Sequence, residues 1–317
     1  MRPATRQRVL AAAGALDYSP NISARSLAGA RSYLLALLYD DPSLNYLAQV
    51  QIGALAKCRE EGFYLLVEPC RRGVPGVTRA VRSLLVRSRV DGVILTPPVC
   101  DSPAVMAALE EAGVAYVRIA PARAPYRAPA VAMDDYQAGY DMTAYLLSLG
   151  HRRIAFIKGP RAHGAASRRY DGFCAALAAA QIALPAGFVA RGDFSFDAGM
   201  DCGLALLRRR PRPSAIFAAN DDMAAGVVAA AHRLGVALPE ALSVAGFDDT
   251  AARLTWPAIT TVRQPITAMA KAATGLLIAA LRTRGREEKS PPPRLMLDYE
   301  IIHRASTAPP SGGGNDG

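Results

Sequence analysis

The chain is poor in the residues on which most enzyme and metal chemistry rests. Its 317 residues include only 4 histidines, 5 cysteines and 1 tryptophan. The cysteines (Cys58, Cys70, Cys100, Cys174, Cys202) are odd in number and widely spaced, with no CxxC pair. Neither a disulfide framework nor a zinc site is indicated, and a reducing cytoplasm fits. GxGxxG after the first strand-like run, GxxxxGK[ST], GxSxG and HExxH are all missing. That removes the best-marked dinucleotide, phosphate-loop, hydrolase and zinc-protease chemistries. His151 lies between a helix stop and a strand, and His163 in a glycine-rich loop; with no triad-like partners in pattern, surface or capping roles are expected for both. The longest uncharged run, Phe173 to Ala190, is mostly alanine and is interrupted by Gln181, Pro185 and Gly187, so it falls short of a membrane span. The expectation is a non-enzyme without metal, cofactor or membrane partner.

What is present describes a folded, basic protein. Hydrophobic residues at 51% and charged residues at 20% exclude wholesale disorder, and the length suits two domains. The formal charge is +10, with 33 of the 37 basic residues arginine. Residues 1 to 33 carry Arg2, Arg6, Arg8, Arg25 and Arg31 against Asp17 alone, a basic end that suits nucleic acid. The same Arg2 to Arg8 followed by Val9 to Leu16 has the outline of a signal peptide. Its large aliphatics Val9, Leu10 and Leu16 fall at helical spacing, so export is the lesser reading.

From Ser32 onward, short Leu-rich or β-branched runs alternate with helical stretches closed by glycine, the signature of βαβ units. Strands are expected at Leu34–Tyr39, Phe63–Val67, Gly92–Leu95, Ala115–Ile119 and Val131–Met133, then at Ile154–Lys158, Phe188–Arg191, Ile216–Ala219 and Val244–Phe247. The intervening helices stop at Gly62, Gly113, Gly150 and Gly235. So many units exceed one comfortable sheet, and an α/β fold of two lobes, each a parallel sheet with helices on both faces, follows. Ligands of such sheets bind beyond the strand carboxyl ends. Those positions hold Asp40-Asp41, Thr96, Arg118, Asp134-Asp135, Gly159, Asp193-Phe194, Asn220-Asp221-Asp222 and Asp248-Asp249. For about half of them helix capping or a turn is a sufficient account. As a set they also supply the paired acceptors, donors and stacking face that a polyhydroxylated ligand needs. Arg118 interrupts the apolar run Tyr116-Val117-Arg118-Ile119, so it either faces a polar cleft or pairs with a strand-end Asp.

Several segments together resemble the lactose-repressor (LacI-type) family of bacterial transcription regulators. They are Thr5-Arg6-Gln7-Arg8-Val9, Leu16-Asp17-Tyr18-Ser19-Pro20-Asn21, Ala24-Arg25-Ser26-Leu27, Leu149-Gly150-His151-Arg152-Arg153-Ile154, Ala219-Asn220-Asp221-Asp222-Met223-Ala224, Gly246-Phe247-Asp248-Asp249-Thr250, Thr260-Thr261-Val262-Arg263-Gln264-Pro265 and Arg304-Ala305-Ser306-Thr307. The resemblance implies a DNA-binding headpiece, a hinge helix and a two-lobed periplasmic-binding-protein-like core that dimerises and binds a small effector, usually a sugar. It divides the chain into a headpiece remnant at 1–30, an effector core at 31–305 and a flexible tail at 306–317. Within the core, one lobe takes 31–134 and 264–290, the other 135–263 and 291–305. Asp248 and Asn220 are then expected to bond effector hydroxyls, Arg169 to donate to ring or hydroxyl oxygens, and Phe194 to stack. Tyr46, Arg118 and Asp134 join them from strand-end or loop positions. Asn21, Ala24, Arg25 and Leu27 are expected at operator DNA, Leu27 as the wedge of a minor-groove hinge helix.

One departure from the family stands out: only the third headpiece helix, Pro3 to Asp17, matches, and the recognition helix has no counterpart. A start codon placed too late is one explanation, since a GTG codon reads as Met when taken as a start and as Val internally. A truncated sensor acting through mixed dimers is the other. The overall expectation is a cytoplasmic, effector-responsive repressor; the alternative is a sugar-binding protein of the same core fold that works without DNA.

Overall fold

A computed structural model describes residues 31–40, 43–71, 76–124, 126–283 and 291–311, together with helical positions scattered between Thr5 and Ala15. The expected DNA contacts Asn21, Ala24, Arg25 and Leu27 lie outside the described residues.

The chain builds β1 (Leu34–Tyr39), α1 (Leu44–Glu61), β2 (Tyr64–Pro69), α2 (Val77–Ser88), β3 (Gly92–Leu95), α3 (Pro103–Glu111), β4 (Ala115–Ile119) and β5 (Ala130–Ala132). A second series follows: α4 (Asp135–Ser148), β6 (Ile154–Lys158), α5 (Gly164–Ala179), β7 (Val189–Arg191), α6 (Phe196–Leu207), β8 (Ala215–Ala218), α7 (Asp221–Arg233), β9 (Ser243–Asp248) and β10 (Thr260–Arg263). The chain ends with α8 (Ile266–Thr283), β11 (Arg294–Met296) and β12 (Glu300–Ile302). Two six-stranded sheets result, ordered β11-β5-β4-β3-β1-β2 and β12-β10-β9-β8-β6-β7.

Burial on both faces explains why the central strands β1, β3 and β8 read as unbroken apolar runs. In β1, Leu35 and Leu37 enter one core cluster while Ala36 and Leu38 enter the other, as a side-chain period of two requires. Gly62 ends α1 in the left-handed conformation, φ 72°, a geometry that costs glycine little. By length and composition α8 could cross a membrane. Here it is a core helix that buries Met269, Ala273, Leu277 and Leu281 while packing on α1 and the first sheet.

Helices α4 and α5 touch backbone to backbone. A β-carbon at Gly139 would strike the Arg169 carbonyl, and one at Gly172 the Tyr136 carbonyl.

Three features of the organisation differ from expectation. Residues 291–305 do not all go with the second sheet, because Arg294–Met296 pairs in parallel with Ala130–Ala132 of the first. The third passage between sheets therefore falls between β11 and β12, beside those from β5 to α4 and from β10 to α8. The sheets are not purely parallel either, since β12 runs antiparallel to β10. The supposed flexible tail is packed at its start. Ser306 is buried, accepting from Thr260 N at 2.8 Å and donating to the Val244 carbonyl at 2.6 Å. Residues 312–317 lie outside the described part.

Candidate functional site

The carboxyl ends of both sheets face a cleft lined by Ser43, Tyr46, Pro97 and Ala120 on one side and His163, Ala165, Arg169, Phe194, Asn220 and Asp248 on the other, with Gln264 at a crossing. Its walls leave a space of about 10 Å3 between them, room for about one water molecule. Any sugar-sized occupant enters only when the walls part.

Arg169 is its central charge. The side chain rises from α5, buried, and Nε donates to Asp135 Oδ1 at 2.9 Å while one terminal nitrogen donates to the Ala219 carbonyl at 2.7 Å. The same nitrogen lies 3.6 Å from Asp248 Oδ1, and the guanidinium sits 3.7 Å over the Phe247 ring. A buried cation is tolerable only with such partners. Asp248, at the end of β9, has φ 109°, a backbone region that side chains rarely occupy; such strain concentrates at ligand sites. Its carboxylate also accepts from Gln264 Nε2, so the second crossing reaches into the site.

Phe194 likewise has positive φ, 77°, fixed by Asn220 Nδ2 donating to its carbonyl at 3.0 Å. Its ring fits against Gly159, where a β-carbon would collide with it, and meets the His163 ring edge-on at 4.8 Å. Asn220 caps α7, its Oδ1 accepting from Met223 N at 3.1 Å. Next to it, Asp221 is sealed beneath the site, accepting from Thr261 Oγ1 and from Thr250 N, each at 2.7 Å. Burial pushes its carboxyl up to about 7 despite those two donors, with Asp249 and Asp222 adding to the rise.

Five of the seven expected effector residues therefore line one cleft: Tyr46, Arg169, Phe194, Asn220 and Asp248. Two do not. Arg118 turns away and spends its guanidinium on Asp101 Oδ1 at 2.9 Å and on the carbonyls of Cys100, Arg123 and Ala124, so it organises the loop after β4. Asp134 is half exposed and caps α4 by accepting from Tyr136 N and Gln137 N, both at 3.1 Å. Sequence reading missed Ser43, His163 and Gln264 as cleft residues. The capping role expected of His163 holds, since Nδ1 accepts from Ala166 N at 3.2 Å. His151 is not on the surface: it is buried between Ser214, Ser243 and the Ala308 carbonyl. Among the described residues no group of three or more His, Cys, Asp or Glu could hold a metal ion.

The periplasmic binding protein-like domain matches residues 143–307. The HTH-type transcriptional repressor PurR of Klebsiella pneumoniae (strain 342) is similar, 30% identical over 96% of this chain and 88% of its own length. This chain belongs to the LacI family of transcriptional regulators. Among solved LacI-type structures, the transcriptional regulator CelR in complex with cellobiose is similar at 30% identity, TM-score 0.79, over 96% of this chain and 91% of the other. The lac repressor dimer bound to operator and the anti-inducer ONPF gives 25% identity and TM-score 0.79 over 92% and 99%. The relatives are regulators rather than enzymes, and the chain is an effector-responsive LacI-family regulator.

Proposed function

We propose that this LacI-family protein is a cytoplasmic, homodimeric repressor whose effector is a sugar or sugar derivative bound in the cleft between the two sheets. One observation carries the reading: a buried guanidinium, carboxylate and carboxamide (Arg169, Asp248, Asn220) converge beside the Phe194 ring at the strand carboxyl ends. Hydroxyl groups both donate and accept, and the apolar face of a pyranose stacks on an aromatic ring, so this mixture suits a polyol. The cellobiose complex of CelR supports the ligand class. Operator contact is assigned to the basic segment holding Asn21, Ala24, Arg25 and Leu27, with the operator-bound lac repressor supporting that role.

The deciding experiment is a thermal-shift screen of the protein against a panel of mono- and disaccharides. A ligand at 100 times its dissociation constant stabilises by about 2.7 kcal/mol. Asp248→Asn and Phe194→Ala should each weaken the hit about five- to a hundredfold, the loss of one buried bond or stacking face. Unchanged affinity in both variants at normal melting temperature would remove the site assignment. Gel shifts with and without the hit then test its effect on operator binding; a chain that responds to the sugar but never binds DNA would remove the repressor role.

A further inference from the structure

A second hollow, of about 260 Å3, opens where β6 and β7 end; its lining includes Lys158, Arg161, Ser167, Tyr170, Asp171 and Arg191. It shares no lining residue with the effector cleft. Its construction is unusual because Lys158 and Arg191 are register partners on neighbouring parallel strands. Like charges placed directly opposite each other destabilise a sheet. Both are nevertheless held in place. Lys158 Nζ stands 3.2 Å above the Tyr170 ring, and Arg191 donates to the Gly159 carbonyl at 3.1 Å.

Arg161 adds a third positive charge from the loop after β6. Among the described residues none of the three forms an ion pair. Asp171 is the one carboxylate on the wall, which leaves the hollow with an excess of positive charge. Burial and the neighbouring Arg191 hold the Lys158 ammonium below its usual range, with Cys174 and Asp171 acting weakly the other way.

We propose that this hollow binds a phosphate-class anion, either inorganic phosphate or the phosphate of a small monoester, between Lys158, Arg161 and Arg191 with the Ser167 hydroxyl on the rim. Two guanidinium forks and an ammonium offer the charge-assisted donors that a tetrahedral dianion accepts. An anion between them offsets the repulsion between the register partners Lys158 and Arg191. Helix α5 presents Ser167 and Tyr170 to this hollow and Arg169 to the cleft, so one helix carries groups of both sites.

Titration calorimetry of the full chain at constant ionic strength tests this with inorganic phosphate, glycerol 3-phosphate and, as the uncharged control, glycerol. Saturable one-to-one binding of either anion, and none of glycerol, is expected. A preference for glycerol 3-phosphate assigns the hollow to a monoester, and the reverse preference to the free ion. Lys158→Gln and Arg191→Gln should each weaken binding at least tenfold, with Arg161→Gln, on an exposed loop, as the variant least able to disturb folding. Arg152→Gln at the other end of β6 should change nothing. The proposal fails if neither anion saturates, or if Arg152→Gln weakens binding as much as the three pocket variants.

Discussion

Ser43 donates its hydroxyl to Asp222 at 2.6 Å, joining residues 179 positions apart across the mouth of the cleft. Asn45 Nδ2 donates to the other carboxylate oxygen at 2.9 Å. Ser43 caps α1 beside the first sheet, and Asp222 sits in the first turn of α7 beside the second. Both donors come from one lobe and the acceptor from the other. The pair is therefore a clasp that favours the closed cleft over an open one.

Asp222→Ala removes that clasp without touching Arg169 or Asp248. Hydrogen bonds to a charged group contribute about 1.5–3 kcal/mol when shielded and less at an exposed mouth. A loss of about 1 kcal/mol shifts the open–closed ratio about fivefold. Small-angle scattering should report a larger radius of gyration, and effector release should quicken by a similar factor. An unchanged radius and release rate would show that something other than this clasp closes the cleft.

Arg118→Met is expected to cost about 3–5 kcal/mol, the usual penalty for leaving one member of a buried pair alone. The stranded member is Asp101, which still accepts from Ala122 N and Arg123 N, each at 3.0 Å. Chemical denaturation measures the loss. Because Arg118 lies outside the cleft, effector affinity of the folded protein should stay within about twofold of the parent value, against a loss of tenfold or more for a residue that binds the ligand directly.

Asp221 gives a pH signature. In the folded chain its proton is held up to about 7, against 3.8 for an unburied side chain. Between those values the folded state binds more protons than the unfolded state, so this group's contribution to stability falls as pH rises and levels off above about pH 7. The full drop is up to about 4 kcal/mol. Asp221→Asn cannot ionise. Its stability relative to the parent should therefore climb from about pH 4 to about pH 7 and then stay flat, as read from urea midpoints across that range. A pH-independent difference would mean that Asp221 ionises normally.

Gly172→Ala is expected to destabilise by about 1–3 kcal/mol, the range for overpacking a tight contact. The new methyl group has nowhere to go except into the Tyr136 carbonyl. Moving α5 outward would also shift Arg169, so effector affinity should fall together with the melting temperature.

Strands β1, β3, β4 and β6 occupy the residues expected of them, because a strand buried on both faces is an almost wholly apolar run, broken here only by Arg118 in β4 and Lys158 at the end of β6. Helices α2 and α8 carried no comparable marks. Helix α2 starts at Gly76 without a side-chain cap and stops at Arg89, which adopts the left-handed conformation without being glycine. Helix α8 is so rich in alanine that its apolar period is blurred. In the site, the rule that ligands gather beyond strand carboxyl ends located Phe194, Asn220 and Asp248, whereas Arg169 came from resemblance alone. The same rule misplaced Arg118 and Asp134, because it gives a side chain's position along the strand and not the direction in which it turns. Partners close by, Asp101 for one and the first turn of α4 for the other, claimed them. Ser43 and Gln264 escaped notice because their roles depend on elements that approach only in three dimensions.

The backbone contact between α4 and α5 has a mechanical meaning. At Gly139 and Gly172 backbone meets backbone with no side chain to deform between, which favours movement of the two helices as one unit, and the ion pair of Asp135 with Arg169 joins them at the end of α4. Asp135 is also the first helical residue after the chain leaves β5 for the second lobe. A pull on Arg169 would therefore be felt at the point where the chain passes from one lobe to the other.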